Sequence, residues 1–403
     1  MQLRTVIDMP IMKPPVFLTS KANRPVPPKN RLAVVCSVTP WHEAPRIRHQ
    51  ISRQLARFYN VIYVELPFFS NCPYDNQEVI SHSITVFRPR RLFRGFRRLW
   101  VNVPAFHHAY NKIVLHKIES VILESGYTDS ILVNFQFNFA EIMSSRLFNA
   151  RIYYCNDDFP AMTANKWKRK LFDNYEAETA RQSDFCLAVS EPLVLKLAQI
   201  NSATKLLLPG HEFDAIEGTE SSFRRLGSDD CIKVGFMGYV NERIRYDWLE
   251  LLLKVDTITL VVIGPDQSSK GLQILKRYRN FVHVDQLVGA ALKTALEALD
   301  VLIIPYDSSN QANQAIGAPN KLFQYLACGK PVVISDLPNF IKMPPNFVYR
   351  ASSGQEFLEM VYRSVRENSE TLHNARTAYA AINTWNARGN ELHKLIESIP
   401  CVH

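Results

Sequence analysis

No run of 18 uninterrupted apolar residues occurs among the 403 residues, so no membrane-spanning helix is expected. Glycine is scarce at 14 residues, and nowhere does it form the GxGxxG pattern of dinucleotide binding. The seven cysteines, at 36, 72, 155, 186, 231, 328 and 401, are odd in number and widely spaced. With no CxxC pair among them, neither a zinc signature nor a disulfide scaffold is present. Most sit in apolar contexts such as Val34-Val35-Cys36, which reads as buried free thiols in a reducing cytoplasm. Charge is sparse too: charged residues make up 21% and the net charge is +9, basic without being a polycation. The first thirty residues hold six prolines and no apolar h-region. They are not a signal peptide, and a disordered leader over 1–30 is expected.

What is present is ordinary globular material, 47% apolar and long enough for two or three domains. Order is expected to begin at Arg31. Leu32–Val38 is short, apolar and β-branched. A polar turn follows, then Ile47, Ile51, Leu55 and Phe58 at helical spacing, then a second apolar run at Val61–Val64. That is a βαβ unit, and it recurs. A helix is predicted over 105–124, and strands at Ile131–Val133, Ile152–Tyr154 and Phe185–Val189. A further helix, ending near Ser183, carries Asp173, Glu176 and Glu178 on a solvated face. Residues 212–230 are rich in Gly, Ser and acids and read as a linker. The alternation then restarts, with strands at Ile232–Met237, Leu260–Ile263, Val301–Ile304 and Val332–Ile334, and helices over 246–254, 290–298 and 319–328. The expected organisation is a first domain at 31–211, the linker at 212–230, a second domain at 231–375 and a returning C-terminal helix at 376–403. Two α/β halves leave a cleft, and in open parallel sheets ligands sit beyond the carboxyl ends of strands.

Several residues there can carry chemistry. Gly235 and Gly238 end the first strand of the second half, where glycine permits close approach of backbone to a phosphate or simply makes a tight turn. Arg243 and Arg245 offer guanidinium forks suited to phosphate, or are two surface arginines of a loop. Pro319 suits a first helical turn, and the residues before it bring no side-chain cap. With Asn320 and Lys321 beside it, that helix start would be completed by an anion, or by water and the preceding loop. Gln324 lies one turn on and can bond hydroxyls without supplying charge. In the first half Trp41, His42 and Arg46 follow the first strand, where acceptor groups would sit or a loop simply packs. Asp157 and Asp158 follow another strand and could contact hydroxyls or cap the next helix. His107, His108 and His116 do not converge at ligand spacing, so no metal is expected.

Taken in order, Gly235-x-x-Gly238, Leu260-Val-Val-Ile-Gly-Pro265, Asp300-Val-Leu-Ile-Ile-Pro305 and Pro319-x-Lys321-Leu-Phe-Gln-Tyr-Leu-Ala-x-Gly329-Lys-Pro-Val-Val333 resemble the donor half of GT-B glycosyltransferases of the family 4, or group 1, type. The closest subgroup is the teichuronic acid biosynthesis glycosyltransferase-like one of bacterial polysaccharide synthesis. Over 31–211 the stretches Arg46–Leu55, Tyr153–Asp158 and Ala188–Leu193 resemble its acceptor half, and Trp385-x-x-Arg388 its C-terminal segment. The resemblance implies an α/β GT-B fold of two facing Rossmann-like domains and a nucleotide-sugar donor held mainly by the second. It also implies a saccharide or lipid-linked acceptor, and sugar transfer with retention and without an essential metal or other cofactor. It places Arg243 or Arg245, with Lys321 close by, on the diphosphate as the catalytic cations, and Gly235, Gly238, Pro319, Asn320 and Gln324 as binding the donor. The family's acidic pair, eight residues apart, falls on Ile316 and Gln324. That departure supports an alternative, a non-catalytic scaffold of the same fold; a sugar-nucleotide epimerase would need cleft carboxylates that the motifs do not supply. The expected setting is cell-envelope or extracellular polysaccharide synthesis in the cytoplasm, with no nucleic-acid partner.

The most biased stretch, Arg88–Trp100, interleaves six arginines with Leu92, Phe93, Phe96, Leu99 and Trp100. Basic plus aromatic composition reads as contact with the inner membrane surface. Each basic residue near an anionic surface is worth about 1 kcal/mol, and salt screens the attraction. The chain should sediment with anionic liposomes at low salt, less at high salt and poorly with neutral ones. Replacing Arg94, Arg97 and Arg98 by Gln should cut that sedimentation; equal sedimentation of the triple variant would refute it.

Overall fold

The computed structural model describes residues 31–67, 73–90, 101–213, 230–265 and 270–399. The leader 1–30, most of the linker (214–229) and the arginine-rich residues 91–100 lie outside the described residues.

Two sheets organise the chain. The first has eight strands in the order β3-β4-β2-β1-β5-β6-β7-β8. They are β1 (Arg31–Ser37), β2 (Asn60–Glu65), β3 (Asn76–Ser81), β4 (Ile84–Arg88), β5 (Asp129–Asn134), β6 (Ala150–Cys155), β7 (Phe185–Ala188) and β8 (Thr204–Leu206). All neighbours are parallel except β3 against β4. The second has six parallel strands in the order β11-β10-β9-β12-β13-β14. These are β9 (Ile232–Met237), β10 (Ile258–Ile263), β11 (Phe281–Val284), β12 (Val301–Ile304), β13 (Val332–Ser335) and β14 (Val348–Ala351).

The continuous apolar runs follow from this topology, because a central parallel strand is covered by helices on both faces. In β1, Val34 and Cys36 face a core with the helices Pro104–Ser125, Lys166–Arg181 and Glu191–Ala198, whereas Ala33 and Val35 face one with Ile47–Leu55 and Trp385–Glu397. The strand order reverses at β1/β5 in the first sheet and at β9/β12 in the second. A ligand crevice forms beyond the carboxyl ends of strands at such points.

Three sequence expectations are corrected. The antiparallel β3–β4 edge was not foreseen: β3 is polar, and the short apolar run Ile84–Phe87 of β4 was not read as a strand. It takes Arg88 out of the arginine-rich stretch and pairs it with Glu65 at 2.8 Å and Glu78 at 2.7 Å. Glu176 is not solvated: it is 1% exposed and accepts from Tyr153 at 2.8 Å and Lys196 at 2.7 Å. The helix expected over 319–328 spans only Leu322–Ala327. Pro319 to Leu322 forms a turn (Leu322 N–H to Pro319 C=O, 2.9 Å), so Pro319 stands ahead of the helix and Lys321 caps it through its backbone. Gly329, at φ +67°, provides the left-handed stop.

The chain crosses between the two cores twice, side by side. Leu207 is buried in the first core and Phe213 in the second; on the return, Ala380 lies in the second and Trp385 in the first. The two crossings are bonded: His211 N–H donates to Asn383 C=O (3.1 Å) and Trp385 N–H to His211 C=O (2.9 Å). Gly210 permits that approach, since a Cβ there would lie 2.7 Å from the Thr384 carbonyl carbon and the Trp385 nitrogen. Gly210→Ala sets side chain against backbone, which cannot rotate away. A loss of about 1–3 kcal/mol in denaturant unfolding is expected; unchanged stability would show that the crossings separate freely.

Candidate active site

A cleft of about 460 Å³ opens between the two sheets. Its walls are the segments at strand ends: Ala44–Ile47 after β1, Met237, Gly238, Tyr239, Asn241 and Arg243 at the end of β9, Ile263–Pro265 closing β10, Gln286–Val288 after β11 and Tyr306 after β12, with Asn320, Lys321 and Gln324 beside them.

Lys321 is the electrostatic centre. It is 8% exposed, and its Nζ lies 4.0 Å from the Phe236 ring centroid and 5.1 Å from that of Tyr306. Aromatic faces attract a cation but do not neutralise it, and among the described residues no carboxylate pairs with this one. Burial, with the nearby Arg243 charge, pulls its pKa down to about 7. Gly238 makes room for it: at φ +130°, a Cβ there would lie 2.9 Å from Nζ. A Cβ on Gly264, at the end of β10, would come 2.3 Å from the Gly238 carbonyl oxygen, so the two strand-end glycines pack backbone to backbone.

Arg243 is fixed beside it. Its Nε donates to Asn313 Oδ1 (2.7 Å) and Nη2 to the Ala312 carbonyl (2.8 Å), while the buried Asn313 amide donates back to the Arg243 carbonyl (3.0 Å). The guanidinium carbon lies 5.9 Å from the Tyr306 ring centroid. A guanidinium held by neutral partners keeps its full charge for a ligand.

The other expected site residues divide. Asn320, Gln324 and Gly238 line the cleft. Arg46 does as well, and its guanidinium carbon stands 5.8 Å from the Tyr239 ring of the opposite half. Arg245 does not: it forms a two-pronged pair with Asp247 (2.8 and 2.6 Å) and covers Trp248. Gly235 is a packing glycine, where a Cβ would come 2.3 Å from Leu299. Pro319 is buried away from the cleft walls. Trp41 belongs to the core, edge-on to His49 and Tyr63 at 5.4 and 5.0 Å. His42 is exposed and bonded to Glu78 at 3.0 Å. Asp158 caps locally, accepting from Lys196 (2.9 Å) and the Ala161 N–H (3.3 Å). Asp157 is not among the wall residues, though the Arg243 charge reaches it. Burial raises its carboxyl to about 6, opposed by the charges of Arg243 and Arg48.

Sequence reasoning missed Tyr306, Asn313, Glu212, Gln50 and the Gln286–Val288 wall. Tyr306 and Gln286–Val288 follow strand ends and could have been found by that rule; the rest depend on packing between distant segments.

Residues 231–361 match the family of group 1 glycosyl transferases. The second half of the chain is thus similar to group 1 glycosyltransferase domains, and the fold is the two-domain GT-B one of its structural neighbours. A Bacillus subtilis (strain 168) protein, provisionally named as the teichuronic acid biosynthesis glycosyltransferase TuaH, is 26% identical over 262 residues. That alignment covers 60% of this chain and 66% of TuaH, slightly under two thirds of its length. Among solved structures, sucrose-phosphate synthase from Thermosynechococcus elongatus superposes with a TM-score of 0.69 at 13% identity, covering 91% of this chain and 98% of that one. An E. coli trehalose-6-phosphate structure bound with UDP-2-fluoro glucose gives 0.67 at 12%, covering 91% and 99%.

The state of Lys321 yields a pH prediction. With the free ammonium titrating near 7, an anion such as pyrophosphate binds the protonated form and raises its pKa. Binding should take up a proton, and affinity should fall as pH rises above about 7. For stability the sign is opposite: an unfolded lysine titrates near 10.4, so from about 7 upward the unfolded chain holds more protons and stability rises with pH from this group. Calorimetry of pyrophosphate binding in buffers of different ionisation enthalpy checks the uptake; no proton exchange between pH 7 and 8 would show that Lys321 is already charged.

Proposed function

We propose that the chain is a metal-independent glycosyltransferase. It moves a sugar, with retention, from a nucleotide-sugar donor to a saccharide or lipid-linked acceptor in cell-envelope or extracellular polysaccharide synthesis. The observation that carries this reading is the buried, unpaired Lys321 ammonium beside an Arg243 whose partners are neutral. The bond between the anomeric carbon and the diphosphate oxygen breaks, one to the acceptor hydroxyl oxygen forms on the same face, and the hydroxyl proton passes to the departing diphosphate. Negative charge grows on the diphosphate, and two positioned cations stabilise it without a divalent ion. Asn320 and Gln324 line the same wall and can hold donor hydroxyls as neutral amides. The family match, the TuaH relative and the UDP-sugar analogue in a structural neighbour support this donor class and setting. Arg46 and Asp157 are the first-half groups suited to the acceptor. The chain works in the cytoplasm and touches the inner membrane surface peripherally; among the described residues no helix is long and apolar enough to cross a membrane.

The test is donor binding and hydrolysis with a panel of UDP-, GDP- and ADP-sugars. Lys321→Ala should lose about 2–4 kcal/mol of transition-state stabilisation, mainly in kcat, while Arg245→Ala leaves turnover near wild type. Gln324→Glu should preserve or tighten donor binding, and Gln324→Ala should weaken it by about 1 kcal/mol. Tight nucleotide-sugar binding by wild type with no transfer or hydrolysis would replace this reading by the scaffold one.

A further inference from the structure

The cleft walls carry the cations Arg46, Arg243 and Lys321 and, among the described lining residues, a single carboxylate, Glu212. It comes from the crossing between the domains, and both neighbours in sequence are anchored. The His211 backbone is bonded on both sides to the return crossing. Its ring Nε2 donates to the Ala380 carbonyl (2.9 Å) while Nδ1 accepts from the Phe213 N–H (3.1 Å), and Phe213 is buried in the second core. A side chain between two such fixed residues is presented with little freedom. Glu212 Oε2 accepts from the Gln50 amide at 2.6 Å, and Gln50 is itself 6% exposed. Among the described residues no hydrogen bond reaches Glu212 Oε1 or the Gln50 side-chain carbonyl oxygen, so each of these bonded, cleft-lining residues keeps an acceptor, with the Arg53 charge acting on Glu212.

A carboxylate repels phosphate, so in a cleft built for a diphosphate it marks a place where a neutral, hydroxyl-bearing part of the ligand rests. A pair of fixed acceptors suits two adjacent hydroxyl donors. We propose that Glu212, supported by Gln50, reads a vicinal diol of the nucleotide-sugar donor and is a specificity residue of the cleft. The second-half lining residues bring the amides Asn241, Gln286, Asn320 and Gln324 but no carboxylate, and Glu212 supplies the anionic acceptor from the interdomain crossing instead. This inference rests on the cleft being the donor site.

Both the ribose and the transferred sugar carry such a diol, and two arms separate them. Calorimetry would compare UDP, GDP and ADP with their 2′-deoxy counterparts, and each nucleotide with its glucose conjugate, for wild type, Glu212→Gln, Gln50→Ala and Lys321→Ala. In wild type one ratio, ribo over deoxy or sugar-nucleotide over nucleotide, should be about tenfold or more, the scale of one charge-assisted hydrogen bond. Glu212→Gln should bring that ratio close to one, and Gln50→Ala should lower it partway. Lys321→Ala should weaken every ligand alike and leave the ratio standing, which a general structural defect would not reproduce. A folded Glu212→Gln protein that keeps both wild-type ratios overturns the assignment of Glu212 while leaving the donor site in place. Failure of wild type to bind any nucleotide overturns the donor site itself.

Discussion

A buried lysine that meets no counter-charge among the described residues is the constraint around which this molecule is arranged. Moving an ammonium out of water costs several kcal/mol unless something repays it, and the rings of Phe236 and Tyr306 return only part. The fold tolerates the deficit because everything near Lys321 is over-determined. Gly238 clears the space, Gly264 packs on Gly238, and Asn313 locks Arg243 so that a second cation cannot swing away. An anion entering this place meets charge already positioned, so little reorganisation is needed when more negative charge develops.

The second constraint is mechanical. The two sheets approach with their carboxyl ends facing the cleft, and they are joined where Gly210-His211 and Thr384-Trp385 run bonded together. Because Gly210, Glu212 and Trp385 also line the cleft, the joint between the domains is part of the binding wall.

Much of the fold was legible. The run Val301–Ile304 is a strand at those residues, and Tyr246–Leu253 a helix within one residue of expectation. Short apolar runs that alternate with helical periodicity can be little else than parallel strands covered on both faces. Gly329 and Pro331 ended their helix for local reasons. What failed were readings that needed a neighbour. β3 is polar because it is an edge strand, and Glu176 is buried because Tyr153 and Lys196 satisfy it.

The site divides along the same line. The sequence alone offered strand-end glycines, Lys321 and one of two arginines as a group, because their motifs resemble one family's in order; the structure brings Gly238, Arg243 and Lys321 to one wall. Sequence could not tell Arg243 from Arg245: both are arginines on one loop, and only packing turns one onto Asn313 and the other onto Asp247. Nor could it show that Pro319 precedes the helix, or that Trp41 supports the core. Glu212 and Gln50 stand 162 residues apart in the chain, and no local pattern links them. Backbone periodicity is written in short-range sequence; which side chain faces a cleft is decided by the packing of segments that meet only when the chain has folded.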